Sequence, residues 1–240
     1  MPKIAIVAAL ERELRPLVKD WPTATIQYEG RRLTFHEGKH AVVVCVGLGA
    51  EAAHRAAQAA IAKYSPEVVI SAGIAGALVP ELKAGETIFP AAVIDTQGGS
   101  RHETAIKISP VSNTALARTI LATSPQIAGA AQKQQLAKSY GAHAVDMEAA
   151  AVARAAEIHN LAFLAIKSIS DEYDFDLPDM QAFIRGCEFQ TARFALHIAM
   201  RPWLWLRVLR LARNTRIASE NLCAWLRESA LTNTIVKLNN

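Results

Sequence analysis

Four short runs of mostly apolar residues constrain this fold more than any other feature of the chain: Lys3–Ala9, Ala41–Val46, Val68–Ala72 and Leu161–Ile169. Each has the length of a strand, and none shows the apolar–polar alternation of a sheet with one wet face, so each must be covered on both faces. Stretches with helical spacing lie between them: Glu11–Val18, which Pro16 is expected to kink, then the Ala-rich Ala50–Tyr64, then Ala130–Ser139 and Met147–His159. Buried strands alternating with helices specify a mainly parallel sheet with helices on both sides.

The remaining elements are weaker. Thr25–Tyr28 and Arg32–His36 flank Glu29-Gly30, a hairpin signature. Val68–Ala72 leads into Gly73-Ile74-Ala75-Gly76-Ala77, read as a glycine-containing loop, and Thr87–Thr96 reads as one further strand. Gln97–Pro125 is polar and irregular, with a helix expected near Asn113–Thr123, and a short strand is expected at Ala142–Val145. After Pro178 the sequence is mostly helical to about Leu231. No internal repeat or Gly/Ser linker divides the chain.

The net charge of +4 is uneven: residues 201–240 carry seven Lys/Arg and two Glu, which leaves residues 1–200 at −1. A body that bound nucleic acid would instead carry a basic face interleaved with aromatics. Three well-separated cysteines, Cys45, Cys187 and Cys223, read as buried free thiols rather than metal ligands. No run reaches the length of a transmembrane helix, and the amino terminus reads as a first strand rather than a signal peptide. A cytoplasmic location is therefore expected.

The turn Gly47-Leu48-Gly49-Ala50-Glu51-Ala52 matches a dinucleotide-binding fingerprint, with Glu67 at the spacing of its ribose acid. Yet Glu67 opens its strand instead of closing it, so a plain strand-to-helix turn is the better reading. An anion or a ribose hydroxyl at this helix start stays open.

Acidic residues at strand ends carry more chemistry. Asp171 follows Leu161–Ile169 beside Ser170, where desolvation would raise its pKa toward that of a general acid. It also reads as an ordinary loop cap. Glu148 follows Ala142–Val145 at a helix start, where a carboxylate is favoured in any case. Glu13 follows the first strand with the same ambiguity. Three acids at the ends of strands in one sheet would face one crevice, suited to cleaving a purine N-glycosidic bond. That reaction needs an acid for the base, a grip on the ribose and a held nucleophile.

At these residues the chain resembles the purine nucleoside and uridine phosphorylase superfamily, which includes the methylthioadenosine/S-adenosylhomocysteine nucleosidases. The resemblance is carried by Ile4–Glu13, Val46–Gly49, Ser71–Leu78, Ala144–Ala151 and Ile166–Asp171. It implies a three-layer α/β/α nucleoside phosphorylase-like fold with a central mixed, mostly parallel sheet. It gives Asp171 the role of acid at N7 of the base with Ser170 beside it, Met147 and Glu148 the ribose, and Glu13 the attacking water. Gly73 and Ile74 join the substrate-binding set, as does Lys167, which stands where the nucleosidases carry Arg. A small-molecule nucleoside substrate, a homo-oligomer and no metal are implied, with phosphate as the alternative co-substrate.

Ser71 and Ile74 occupy positions where the family's phosphorylases place Arg and Ser near phosphate, so either water attacks or other cations such as Lys167 or Arg101 hold phosphate. The region Gln97–Gln132 is shorter than in the nucleosidases, which implies a pocket more open around the 5′ end of the sugar. Within the superfamily the motifs are most similar to hopanoid-associated phosphorylases, which implies adenosylhopane as the nucleoside. Residues 1–200 are then the catalytic domain, and 201–240 a basic amphipathic helical segment continuing the same domain. From Arg207 to Arg216 an arginine recurs every third residue behind Trp203 and Trp205. Two readings stand for 201–217: peripheral contact with the inner face of a membrane, or packing on the sheet or a second subunit.

Overall fold

A computed structural model describes residues 3–105, 119–176, 180–185 and 188–231. Strand β1 (Ile4–Ala8) leads into helix α1 (Glu11–Val18), the hairpin β2 (Thr23–Tyr28) and β3 (Arg31–Glu37), then β4 (Ala41–Cys45) and α2 (Ala50–Tyr64). Next come β5 (Val68–Ala77), β6 (Thr87–Ile88), β7 (Ala92–Asp95), β8 (Arg101–Glu103), β9 (Ile120–Thr123), α3 (Ala130–Tyr140), β10 (Ala144–Asp146), α4 (Ala149–Ile158) and β11 (Ala162–Asp171). The hairpin β12 (Ile184–Arg185) and β13 (Glu188–Phe189), then α5 (Thr191–Ala199) and α6 (Trp205–Leu231), complete the described chain.

The sheet runs β2-β3-β4-β1-β5-β10-β9-β7-β8, with β11 on the other flank of β5 and β6 beyond it. It is mixed and mostly parallel by paired length. Antiparallel pairing is confined to the hairpins, the short β6 and the junction of β5 with β10. Alternation along the strands feeds two cores. Ala5 and Val7 of β1 join a core with α2 and α4, whereas Ile4, Ile6 and Ala8 face Leu14 and Leu17 of α1 and Leu222 and Leu226 of α6. The first core is built largely of alanine, including Ala53, Ala56 and Ala57 of α2 and Ala149, Ala150, Ala153, Ala155 and Ala156 of α4, so these two helices pack closely with mostly small side chains between them. The result is the three-layer α/β/α fold.

Three expectations change. Gly73–Ala77 is not a loop: β5 continues through it to Ala77, held on one flank by β11. Thr87–Thr96 is two strands, because Pro90 has no N–H to continue a ladder. Of the helix expected at Asn113–Thr123, the end is strand β9, while 113–118 lie outside the described residues. The loop end at Pro178 and the thiol of Cys187 also lie outside them, as does part of the shortened region 97–132.

One topological feature positions the site. Along one flank of β5, β1 pairs as far as Ser71 and β10 pairs only with Gly76 and Ala77, running the opposite way. The carboxyl ends of β1 and β10 therefore meet beside Ala72–Ala75, which no strand covers on that flank. Opposite, β11 pairs with β5 in register until a bulge: Ile169 faces Ala75 and Asp171 faces Gly76, with Ser170 as the extra residue.

Candidate active site

That uncovered stretch of β5 floors a cleft with an empty volume of about 1080 Å³. Glu13, Gly73, Ile74, Met147, Glu148, Lys167, Ser170 and Asp171, eight residues singled out from the sequence, all line it. They arrive from three directions: Glu13 from α1 just beyond β1, Met147 and Glu148 from the end of β10, and the other side chains from β5 and β11.

Glu148 is the N-cap residue of α4, yet its carboxylate does not cap its own helix. Oε1 accepts the amide N–H of Gly49 at 2.9 Å and Oε2 that of Met147 at 3.3 Å. The glycine turn thus serves to hold Glu148. Gly47 and Gly49 have φ of 88° and 103°, and the amide of Gly47 is spent on Ala9 O. Glu67 pairs with Lys3 at 2.8 Å at the far end of β5, so the dinucleotide reading has no ribose acid.

Glu13 is buried, and burial together with the charge of Glu148 pushes its pKa up to about 8, against the opposing pull of Lys167. Glu148 is pushed up to about 7 by burial and Asp146, again opposed by Lys167. Two carboxyl groups facing one cleft resist ionising together. Gly73 packs close beneath them: a Cβ there would lie 3.0 Å from Glu13 Oε2 and 3.7 Å from Lys167 Nζ.

Lys167 is held by two protein groups. Its ammonium lies 2.8 Å from Asp146 Oδ2 and donates to Ser71 Oγ at 3.0 Å. Asp146 in turn accepts from Thr123 Oγ1 at 2.7 Å and from the amide of Ala149 at 2.9 Å. A cation so neutralised is poorly placed to hold a phosphate dianion. Arg101, the other candidate, pairs with Glu103 outside the cleft.

The bulge explains how Ser170 and Asp171 come together. In a regular strand Ser170 and Asp171 would point to opposite faces; the extra residue lets both turn into the cleft. Ser170 Oγ donates to Asp171 Oδ1 at 2.6 Å. The expectation of a carboxyl altered by desolvation alone misses its partner: Lys133 of α3 donates to Asp171 Oδ2 and, at 2.7 Å, to Glu172 O. Lys133 is the one buried side chain of α3. Nothing in the sequence marks it, because a lysine on a polar helix reads as a solvated residue.

The apolar remainder of the lining includes Met180, Phe189 and Leu211, toward α5 and α6. The second half of α6 is sealed onto the body through Ala218, Leu222 and Leu226. Its first half is not: Trp203 just before it is 70% exposed, Leu206 81% and Leu209 65%. Arg207 and Arg210 pair with Asp176 and Glu172. The thiols of Cys45 and Cys223 are free; burial raises Cys45 to about 12 and raises Cys223 as well, which disfavours the thiolate in both.

A family model described as "Phosphorylase superfamily" matches residues 3–198. A 5′-methylthioadenosine/S-adenosylhomocysteine nucleosidase of a Shewanella species is 27% identical over 222 residues, covering 79% of this chain and 95% of that protein. One of Buchnera aphidicola is 28% identical, covering 74% and 81%. Among solved structures, a 5′-methylthioadenosine nucleosidase of Arabidopsis thaliana superposes with a TM-score of 0.69 at 20% identity, over 100% of this chain and 98% of that one. A futalosine hydrolase of Helicobacter pylori gives 0.65 at 18% identity, over 95% and 98%.

Proposed function

The chain belongs to the phosphorylase superfamily, and on that premise we propose that it is an enzyme that cleaves the N-glycosidic bond of a purine nucleoside, with adenine as the base and water as the attacking group. The observation that carries this reading is the convergence of Glu13, Glu148 and the Ser170–Asp171 pair on one cleft from three separate strand ends. Glu148, fixed by two amides, accepts from the ribose hydroxyls. Ser170 and Asp171 meet the base, and Glu13, once ionised, takes the proton of the attacking water. Water is favoured over phosphate because Lys167 is already neutralised by Asp146.

The 5′ substituent is large and apolar in this reading, as in the adenosylhopane that the hopanoid resemblance implies. Met180, Phe189 and Leu211 give the cleft an apolar part of its lining that would suit such a group. Peripheral membrane contact through 201–217 belongs to the same reading. Leu206, Leu209 and Trp203 stand exposed beside Arg213, in a tail whose net charge is +5, which suits an anionic bilayer surface. An isologous contact with a second copy would set this cationic patch against itself. Among the described residues no helix is long and apolar enough to cross a membrane.

The test is adenine release from adenosine, methylthioadenosine and adenosylhopane, with and without phosphate. Release without phosphate supports the reading, and strict phosphate dependence replaces water by phosphorolysis. Binding without any release would instead make the protein a nucleoside-binding relative that has lost catalysis.

A further inference from the structure

Which groups satisfy the first turn of α4 decides what Glu148 is free to do. A helix begins with amides that have no partner inside it, and the side chain of the N-cap residue ordinarily accepts from the second or third of them. Glu148 holds that place, yet its side chain accepts from none of them. Each is already taken. The amide of Ala149 donates to Asp146 Oδ2 at 2.9 Å and that of Ala150 to Thr123 Oγ1 at 3.1 Å. Those of Ala151 and Val152 donate to the carbonyl oxygen of Glu148 at 3.0 and 3.2 Å.

Thr123 stands at the centre of this arrangement. Its hydroxyl accepts from Ala150 and donates to Asp146 Oδ1 at 2.7 Å, so it caps the helix and also orients the carboxylate that caps beside it. Thr123 on β9 and Asp146 on β10 are register partners, so the sheet closes the end of α4 in place of the helix's own N-cap side chain. Thr123 is buried and does not line the cleft. Packing alone would be met by valine, which has the same branched shape. From this accounting we infer that Thr123 is a positioning residue for the ribose site: by capping α4 instead of Glu148, it releases the Glu148 carboxylate to the amides of Gly49 and Met147, and so to the cleft.

This inference rests on the proposed role of Glu148 at the ribose hydroxyls. Without the hydroxyl of Thr123, the amide of Ala150 is left buried with no acceptor, which is costly. The side chain of the N-cap residue is the one a helix ordinarily uses for such an amide. A Glu148 carboxylate turned toward Ala150 is lost to the sugar.

The test is calorimetric binding of formycin A, whose carbon–carbon glycosidic bond resists cleavage, and of its 2′,3′-dideoxy analogue. The unmodified protein should prefer formycin A about 10-fold or more, the worth of a hydrogen bond to a charged group. Thr123→Val should lose most of that preference, and Thr123→Ser should restore it. In a Glu148→Ala background Thr123→Val should change neither affinity, because the two residues act as one unit. Thr123→Cys, whose thiol is a poor acceptor, gives the same comparison should the valine protein not fold. A folded Thr123→Val protein that keeps the preference overturns the inference, as does an equal loss of affinity for both ligands. An unmodified protein without the preference overturns it together with the ribose role of Glu148. Adenine release from adenosine, measured on the same preparations, separates the two claims. A Thr123-dependent preference without any release sinks the cleavage reading and leaves Thr123 positioning the ribose acceptor of a binding site.

Discussion

The amide of Gly49 donates to Oε1 of Glu148 at 2.9 Å across a separation of 99 residues. A turn that looks like a nucleotide-binding loop is therefore a brace for a carboxylate, and the two must be considered together.

Glu148→Ala removes the proposed acceptor for the ribose and leaves the Gly49 and Met147 amides without their partner. We expect kcat/KM for adenosine to fall about 10- to 100-fold, on the scale of one or two charge-assisted hydrogen bonds, mainly through KM. Steady-state kinetics on the folded variant check this; an unchanged KM would remove Glu148 from the ribose.

Asp171→Asn should lower kcat about 100-fold or more, the scale on which a group placed to help the base leave contributes in the proposed reaction. It also strips the buried Lys133 of its counter-charge, which costs about 3–5 kcal/mol when such a pair is broken. Urea denaturation of the variant should show that loss even if residual activity persists.

Glu13 makes stability fall as pH rises. Its folded pKa, about 8, lies above its ordinary 4.5, so between those values the native state holds a proton that the unfolded chain has released. The thermal midpoint should decline from about pH 5 to pH 8, and Glu13→Gln should flatten the decline. In the proposed reaction activity should run the other way, since Glu13 would have to be ionised to take a proton from water. A midpoint that rises over this window would contradict the assignment.

Leu222 is wholly buried between α6, α1 and the sheet. Leu222→Ala should cost about 2–5 kcal/mol and show that the second half of α6 belongs to the catalytic domain. Protein whose unfolding midpoint is unmoved would make that half an appendage.

Replacing both Leu206 and Leu209 by Glu should abolish sedimentation with vesicles containing phosphatidylglycerol. Turnover of adenosine should be untouched, since neither residue lines the cleft. Equal sedimentation of both proteins would argue against a lipid-facing role for 201–217.

Much of this was legible in the chain. The bounds of α1 and α2 and the register of the first hairpin follow from helical spacing and turn chemistry, because those signals are local. All eight expected site residues reach one cleft, because acids at strand ends in one sheet share an edge. What failed was decided by neighbours distant in sequence. Gly73–Ala77 has poor strand propensity but gains a ladder from β11, and tertiary pairing overrides propensity. Lys133 looked like any surface lysine until α3 was seen to carry it to Asp171.

The bulge at Ser170 turns residue count into a condition of the chemistry. Three residues separate Lys167 from Asp171, and β11 needs one fewer to stay in step with β5. Deleting Ser170 would let the two strands zip without interruption while rotating the carboxyl away from the cleft. The better-paired sheet and the working site are thus competing solutions for the same ten residues of β11, and this chain has settled on the less regular one.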